Sequence, residues 1–203
     1  MSSLNLYLIR HGKTYCNERR LYCGKSDISL SDLGIEELTE KKTSTKYPKC
    51  KLNFTSGAKR ANETFEILYG NLHYEVRKDF FEYDFGDFEL KCYEELKEDK
   101  RYIDWIMDKS LKVECPNGES KIQFRNRIKK ALKELIIQLK EENEEEALIV
   151  CHGGTIGILL ELFCDDKKDF YMHQPSCGGG YKVKVNYNDD NYEKIKIEIL
   201  EEL

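Results

Sequence analysis

Two short stretches constrain this chain more than anything else in it: Leu8-Ile9-Arg10-His11-Gly12 and Val150-Cys151-His152-Gly153-Gly154. Each is an apolar run that stops at a histidine, with glycine immediately after. A short continuous apolar run bounded by glycine reads as a buried strand. Strands buried on both faces belong to parallel sheets covered by helices. Two such strands bring two imidazoles to one open edge of a sheet, and Arg10 adds a guanidinium there.

The rest of the chain alternates strands and helices. Residues 4–10 form the first expected strand. A helix is expected from Gly12 onward, with Thr14 and Asn17 in its first turns. A second helix starts at Ser29 or Ser31 and runs to about Lys42, with Asp32, Glu36 and Glu37 favouring its N-terminal end. Residues 51–55 form a short strand. Ser56 or Gly57 then precedes a helix carrying Ala61, Phe65 and Leu68 at helical spacing, ended by Gly70-Asn71. A short strand is expected over 73–76 and a helix from about Glu94 to Met107. Pro116-Asn117-Gly118 is a turn. Glu119-Ser120 opens a long amphipathic helix whose buried stripe is Ile122, Ile128, Leu132, Leu135, Ile136 and Leu139. Residues 147–151 form the second buried strand, followed by a helix from Gly154 to Phe163. Tyr181, Val183, Val185 and Tyr187 alternate, Asn188-Asp189-Asp190-Asn191 turns, and Ile195, Ile197 and Ile199 alternate again, which predicts a closing hairpin. This order implies an α/β fold, a three-layer α/β/α sandwich with a mostly parallel sheet. Residues 1–203 read as a single domain, with an insertion at about 82–117 over the site.

Composition narrows the function. The chain has 203 residues, 40% hydrophobic and 35% charged, as expected of a folded globular protein. Its net charge of −5, with no basic stripe, argues against nucleic acid as a partner. No signal peptide is read at the start, so a cytoplasmic location is expected. The run around IGILLELF is broken by His152 and two glycines and is too short to span a membrane. The eight cysteines form no C-x-x-C pair and read as free thiols, although Cys16 and Cys151 lie near the two histidines, where oxidation would matter. No nucleotide loop or carboxylate cluster of metal-site type is present, so neither metal nor cofactor is expected.

The chemistry follows from residue types. His11 is the candidate nucleophile: a neutral imidazole attacks phosphorus through one nitrogen when the proton on the other is held. Arg10 and Arg60 offer forked donors that match phosphate. His152 donates to the transferring group, and the Gly153 and Gly154 amides at a helix start favour an anion. Thr14 and Asn17 are secondary phosphate contacts, or else a local cap. Glu82, flanked by aromatics, is the candidate proton donor, with Asp84, Asp87 and Glu89 as competitors.

These residues resemble the histidine phosphatase superfamily, which includes cofactor-dependent phosphoglycerate mutases. Arg10-His11-Gly12-Lys13-Thr14-x-x-Asn17 is similar to its opening motif, with lysine where Glu or Gln is usual. Leu30 to Gly34, Ser56 with Arg60-Ala61 and Thr64, Glu82 with Gly86 and Glu89, Pro116-Asn117-Gly118-Glu119-Ser120, and His152-Gly153-Gly154 follow in the family's order. Two departures stand out: Leu90 where glycine is common, and Gly57 where an acidic residue is usual. The resemblance implies a phosphoglycerate mutase-like fold, phosphorylation of His11, a pocket of Arg10, Arg60 and His152, and Glu82 as acid. Tyr83-Asp84-Phe85-Gly86 lacks the positive charge of the mutase acid loop, which favours hydrolysis. Leu21-Tyr22-x-Gly24, Phe85-Gly86-Asp87-Phe88-Glu89 and Tyr102-x-x-Trp105-x-x-Asp108 are similar to α-ribazole-5′-phosphate phosphatases and bring Gly24 into the phosphate-binding set. The expected function is therefore a metal-independent phosphomonoesterase acting on a small phosphate ester, with α-ribazole 5′-phosphate of cobalamin biosynthesis as first substrate. The alternatives are a broad sugar-phosphate phosphatase, a phosphoglycerate mutase, or a silent phospho-ligand binder. The chain is expected to act as a monomer or homodimer.

Overall fold

The computed structural model describes residues 2–166, 168–188, 192 and 194–203. A six-stranded sheet of order β3-β2-β4-β1-β5-β6 forms its centre. Its strands are β1 (Ser2–Arg10), β2 (Leu52–Thr55), β3 (Glu75–Val76), β4 (Glu146–Cys151), β5 (Gly180–Tyr187) and β6 (Lys196–Glu202). β1, β2, β3 and β4 run parallel, while β5 and β6 are antiparallel additions at one edge. Helices flank both faces, as expected for strands as apolar as β1 and β4. On one face α2 (Asp32–Ser44) and α3 (Lys59–Tyr69) cover Ile9, Leu148 and Val150. On the other, α6 (Lys121–Glu141) and α7 (Gly153–Phe163) cover Leu6, Leu8 and Ile149.

Several boundaries differ from expectation for local reasons. The helix after Gly12 is a single turn, α1 (Tyr15–Glu18): Thr14 and Asn17 form the capping box that starts it, and Arg20 just beyond it is left-handed with a φ of 54°. Ser31, rather than Ser29, caps α2. The helix expected over 94–107 is two pieces, α4 (Tyr93–Leu96) and α5 (Lys100–Ile106), because the Asp99 side chain accepts from Arg101 N and starts a new helix. Ser120 caps α6 as expected, but its buried stripe begins at Phe124, and Ile122 is only half-buried. The β5–β6 pairing is present; of its expected turn, Asp189, Asp190 and Asn191 lie outside the described residues.

β1 and β4 are in register, Arg10 opposite Cys151. His11 and His152 therefore leave adjacent strands at the same height. The His11 amide still donates to Cys151 O at 3.0 Å, and the Ser56 amide, following β2, donates to Val150 O at 3.1 Å. Three parallel strands thus end together, where ligands bind in open α/β sheets. The eight cysteines are unpaired. Cys16 and Cys151 are fully buried, and burial pushes both thiols up, which keeps them protonated and unreactive. No helix among the described residues is long and apolar enough to cross a membrane.

Candidate active site

His11 and His152 meet at that edge with ring centroids 5.2 Å apart. His11 is 5% exposed, and its Nδ1 lies 2.6 Å from Gly12 O. A carbonyl only accepts, so Nδ1 carries the proton and Nε2 keeps its lone pair. Gly12 is itself held: its amide donates to Thr64 Oγ1, which donates to Arg60 O. Burial first, then the charges of Arg60 and Arg10, hold His11 well below the usual histidine range. His152 is lowered by burial and then by Arg60, His11 and Arg10. Both rings are therefore neutral near pH 7.

The two guanidiniums arrive by different routes. Arg10 Nη1 donates to Pro175 O at 2.8 Å, which turns the end of β1 toward the loop before β5. Arg60, on the first turn of α3 and 1% exposed, donates to Ser26 O at 2.9 Å and Gly24 O at 2.7 Å. Its Cζ lies 5.7 Å from the Phe81 ring centroid, within cation–π range. His152 pairs its Nε2 with Ser56 Oγ at 2.8 Å. Arg10 Nε, Arg60 Nε and His152 Nδ1 are buried without hydrogen-bond partners among the described residues. Buried polar atoms seldom go unpaired, so these three describe a site shaped for oxygen acceptors.

Glu82 joins the group through its contact with α7. Its Oε2 accepts from Gly154 N at 2.7 Å and its Oε1 from Tyr83 N at 2.9 Å. Burial raises its pKa against the lowering effect of these amides and of Arg60 and Arg10. A Cβ at 154 would lie 2.3 Å from Glu82 Oε1, so any other residue there would push the carboxylate away. The competitors of Glu82 are engaged elsewhere. Glu89 accepts from the amides of Gly24, Lys25, Ser26 and Phe85. Asp84 meets Lys25 Nζ and Gly86 N, and Asp87 meets Asn117 and Arg101.

The geometry divides the expected residues. Arg10, His11, Arg60, Glu82, His152 and the Gly153–Gly154 turn come together. Gly24 contributes through its carbonyl to Arg60. Thr14 and Asn17 cap each other, Thr14 N and Oγ1 both bonding Asn17 Oδ1, so their observed partners are local. Sequence reasoning missed the residues that hold others. Arg127 donates to Phe81 O and Glu82 O and pairs with Glu119, fixing the Glu82 main chain from α6. Nothing in a helical arginine signals that role. The Glu89 cradle could have been suspected from its place beside a glycine loop.

Beside Glu82 and Gly154 opens a cavity of about 490 Å³, with Tyr22, Phe85, Trp105 and Phe124 among its walls. A sequence profile of the Histidine phosphatase superfamily (branch 1) matches residues 6–193. The chain belongs to the histidine phosphatase superfamily. Among curated relatives of this histidine phosphatase is the "Uncharacterized phosphatase PhoE" of Bacillus subtilis, 33% identical over 75% of this chain and 74% of the relative. The adenosylcobalamin/alpha-ribazole phosphatase of Escherichia coli is 27% identical over 77% of each chain. Among solved structures, the phosphoglycerate mutase of Bacillus anthracis superposes with a TM-score of 0.77 over 98% of this chain and 92% of its own, at 22% identity. The fold is thus phosphoglycerate mutase-like, and the superfamily acts on small phosphate esters. Leu90 adopts a left-handed φ of 62°, a backbone that costs a leucine about 1–2 kcal/mol.

Proposed function

We propose that this histidine phosphatase hydrolyses a small phosphate monoester through a phosphohistidine on His11, without a metal ion. The observation that carries the reading is the tethered His11 Nδ1, which leaves Nε2 as a free nucleophile beside three unpartnered buried donors. In the first step the Nε2–P bond forms and the ester P–O bond breaks. Arg10, Arg60 and His152 hold the phosphoryl oxygens, with the Gly153 amide, Thr14, Asn17 and Gly24 around them. The leaving alkoxide takes the Glu82 proton. Water then attacks phosphorus, returns a proton to Glu82 and releases phosphate and His11. α-Ribazole 5′-phosphate is the first substrate to assay, supported by the relatives named for it and by the aromatic cavity beside Glu82. The expected result is steady p-nitrophenyl phosphate hydrolysis in chelator, with enzyme quenched in alkaline detergent carrying a phosphoryl group on histidine. No turnover from mildly acid to neutral pH would overturn the proposal.

The opposed pKa shifts set a pH profile. His11 stays unprotonated below the usual 6.5, so the acid limb of kcat/KM lies below that value. Glu82 stays protonated above the usual 4.5, so activity falls on the alkaline side as pH rises through its raised pKa. For alkyl phosphates, Glu82→Gln is expected to lower kcat about 10²–10⁴-fold and to remove the alkaline limb. An aryl phosphate, whose leaving group needs little help, should be slowed far less. Equal slowing of both would reassign the acid to a neighbouring carboxylate.

Gly154→Ala tests the same contact without touching a reacting group. The new methyl would displace the carboxylate, while Arg127 still grips the Glu82 main chain. Alkyl phosphate turnover is expected to fall about 10²-fold, as for a misplaced catalytic group. Kinetics equal to those of the unmodified protein would mean that the contact is not needed.

A further inference from the structure

The cavity beside Glu82 has a charge pattern that bears on what can leave from the phosphate. It follows one face of α7, where Gly154, Ile158 and Glu161 repeat at helical spacing, and it faces Lys121, Phe124 and Arg125 at the start of α6. Gly154 and Glu161 are seven positions apart, about 10 Å along a helix. The trough therefore leads from Glu82 to Glu161 over roughly the length of a substituted aromatic ring.

Both cations lining it are already engaged. Lys121 Nζ donates to Trp105 O at 2.8 Å and Ile106 O at 3.3 Å, capping the last turn of α5, and lies 5.2 Å from the Trp105 ring centroid. Arg125 Nη1 donates to Glu161 Oε2 at 2.8 Å, and both side chains are less than a third exposed. The walls between are aromatic or aliphatic apart from Gln174. A leaving group with its own carboxylate or phosphate would have to lose water in this trough, where Arg125 is already paired with Glu161. An uncharged aromatic group meets mainly rings.

Resting on the phosphatase reading, we infer that Glu161 is a specificity-determining residue: by neutralising Arg125 it restricts the leaving group to uncharged, largely aromatic alcohols. Arg125 is then a latent anion site, uncovered when Glu161 loses its charge.

Non-hydrolysable phosphonates test this without depending on catalysis. 4-(Phosphonomethyl)benzoate and its carboxyl methyl ester differ only in the second charge, and calorimetry gives both affinities. The unmodified protein is expected to bind the ester at least about tenfold tighter, because the acid must shed water from its carboxylate where Arg125 is already paired. In Glu161→Gln the acid should gain at least about tenfold relative to the ester. In the double variant Arg125→Gln/Glu161→Gln that gain should vanish. Equal affinities in the unmodified protein, failure of the ester to bind it, or an unchanged ratio in folded Glu161→Gln would each overturn the inference. If the variants fail to fold, the acid-to-ester ratio of the unmodified protein still decides it. Selective binding by a protein that hydrolyses no ester would leave this inference standing and bring down the phosphatase reading.

Discussion

His11→Ala is expected to lower kcat for p-nitrophenyl phosphate by at least about 10⁴-fold and to abolish the phosphoenzyme trapped by an alkaline quench. No nearby group can substitute. His152 is the other imidazole at the site, but its Nε2 is already paired with Ser56 Oγ and its Nδ1 is buried. His11 in contrast donates its Nδ1 proton to Gly12 O, which leaves one nitrogen with no other task. Alanine also removes a small, neutral, buried ring, so the fold should tolerate the change, and circular dichroism should be unaltered. The decisive measurement is single-turnover kinetics with mass spectrometry of the quenched protein. A variant that keeps most of its turnover, or that still carries phosphate, would move the nucleophile elsewhere. His152→Ala with phosphoenzyme still formed, but slowly, would fit its role as a donor.

The second large effect is expected at Arg60, where catalysis and folding share one side chain. Arg60→Met should lower kcat/KM about 10²–10³-fold, the usual loss when one donor to a developing oxyanion is removed. It should also destabilise the protein, because the Gly24 and Ser26 carbonyls lose their donor. A buried carbonyl left unpaired costs about 1–3 kcal/mol. A third readout separates the electrostatic role from the structural one. Arg60 is the first-ranked charge holding down both His11 and His152. Its removal should therefore move the acid limb of the pH profile up toward the usual 6.5. Arg60→Lys should recover little, since one ammonium cannot reproduce the planar fork that reaches both carbonyls. Loss of activity with an unmoved acid limb would reduce Arg60 to a strut.

Much of the site was legible because its signals are local. His11 and His152 announce themselves by the apolar run before and the glycine after, a pattern that depends on strand and turn geometry alone. Ser31 and Ser120 declare the starts of α2 and α6 by the same short-range logic of an oxygen facing free amides. Asp99 follows that logic too, yet the helix it splits was read as continuous because Glu94 to Met107 has no proline or glycine to interrupt it. Thr14 and Asn17 are less legible: the sequence leaves open a phosphate contact or a local cap, and their observed hydrogen bonds are to each other.

Sequence reasoning puts Glu82 first among four carboxylates and leaves the other three open. Glu82, Asp84, Asp87 and Glu89 share one short, acidic, aromatic segment, and burial and partners alone separate them. Only the packed loop sends Glu82 to Gly154 and Glu89 to four backbone amides. Arg127 and Arg125 were equally silent, being two more cations on a charged helix until the fold sets one against the Glu82 main chain and the other against Glu161.

The amino-acid order by itself thus determined the alternation of elements, the ends of the two buried strands and the chemistry available there, since those follow from neighbours a few residues apart. Tertiary structure decided which carboxylate meets Gly154 beside the two histidines, which arginines are occupied and which side chains line the cavity there. Those outcomes depend on contacts between segments tens of residues apart, and charge and hydrogen-bond capacity acquire a role only once a partner stands within about 3 Å.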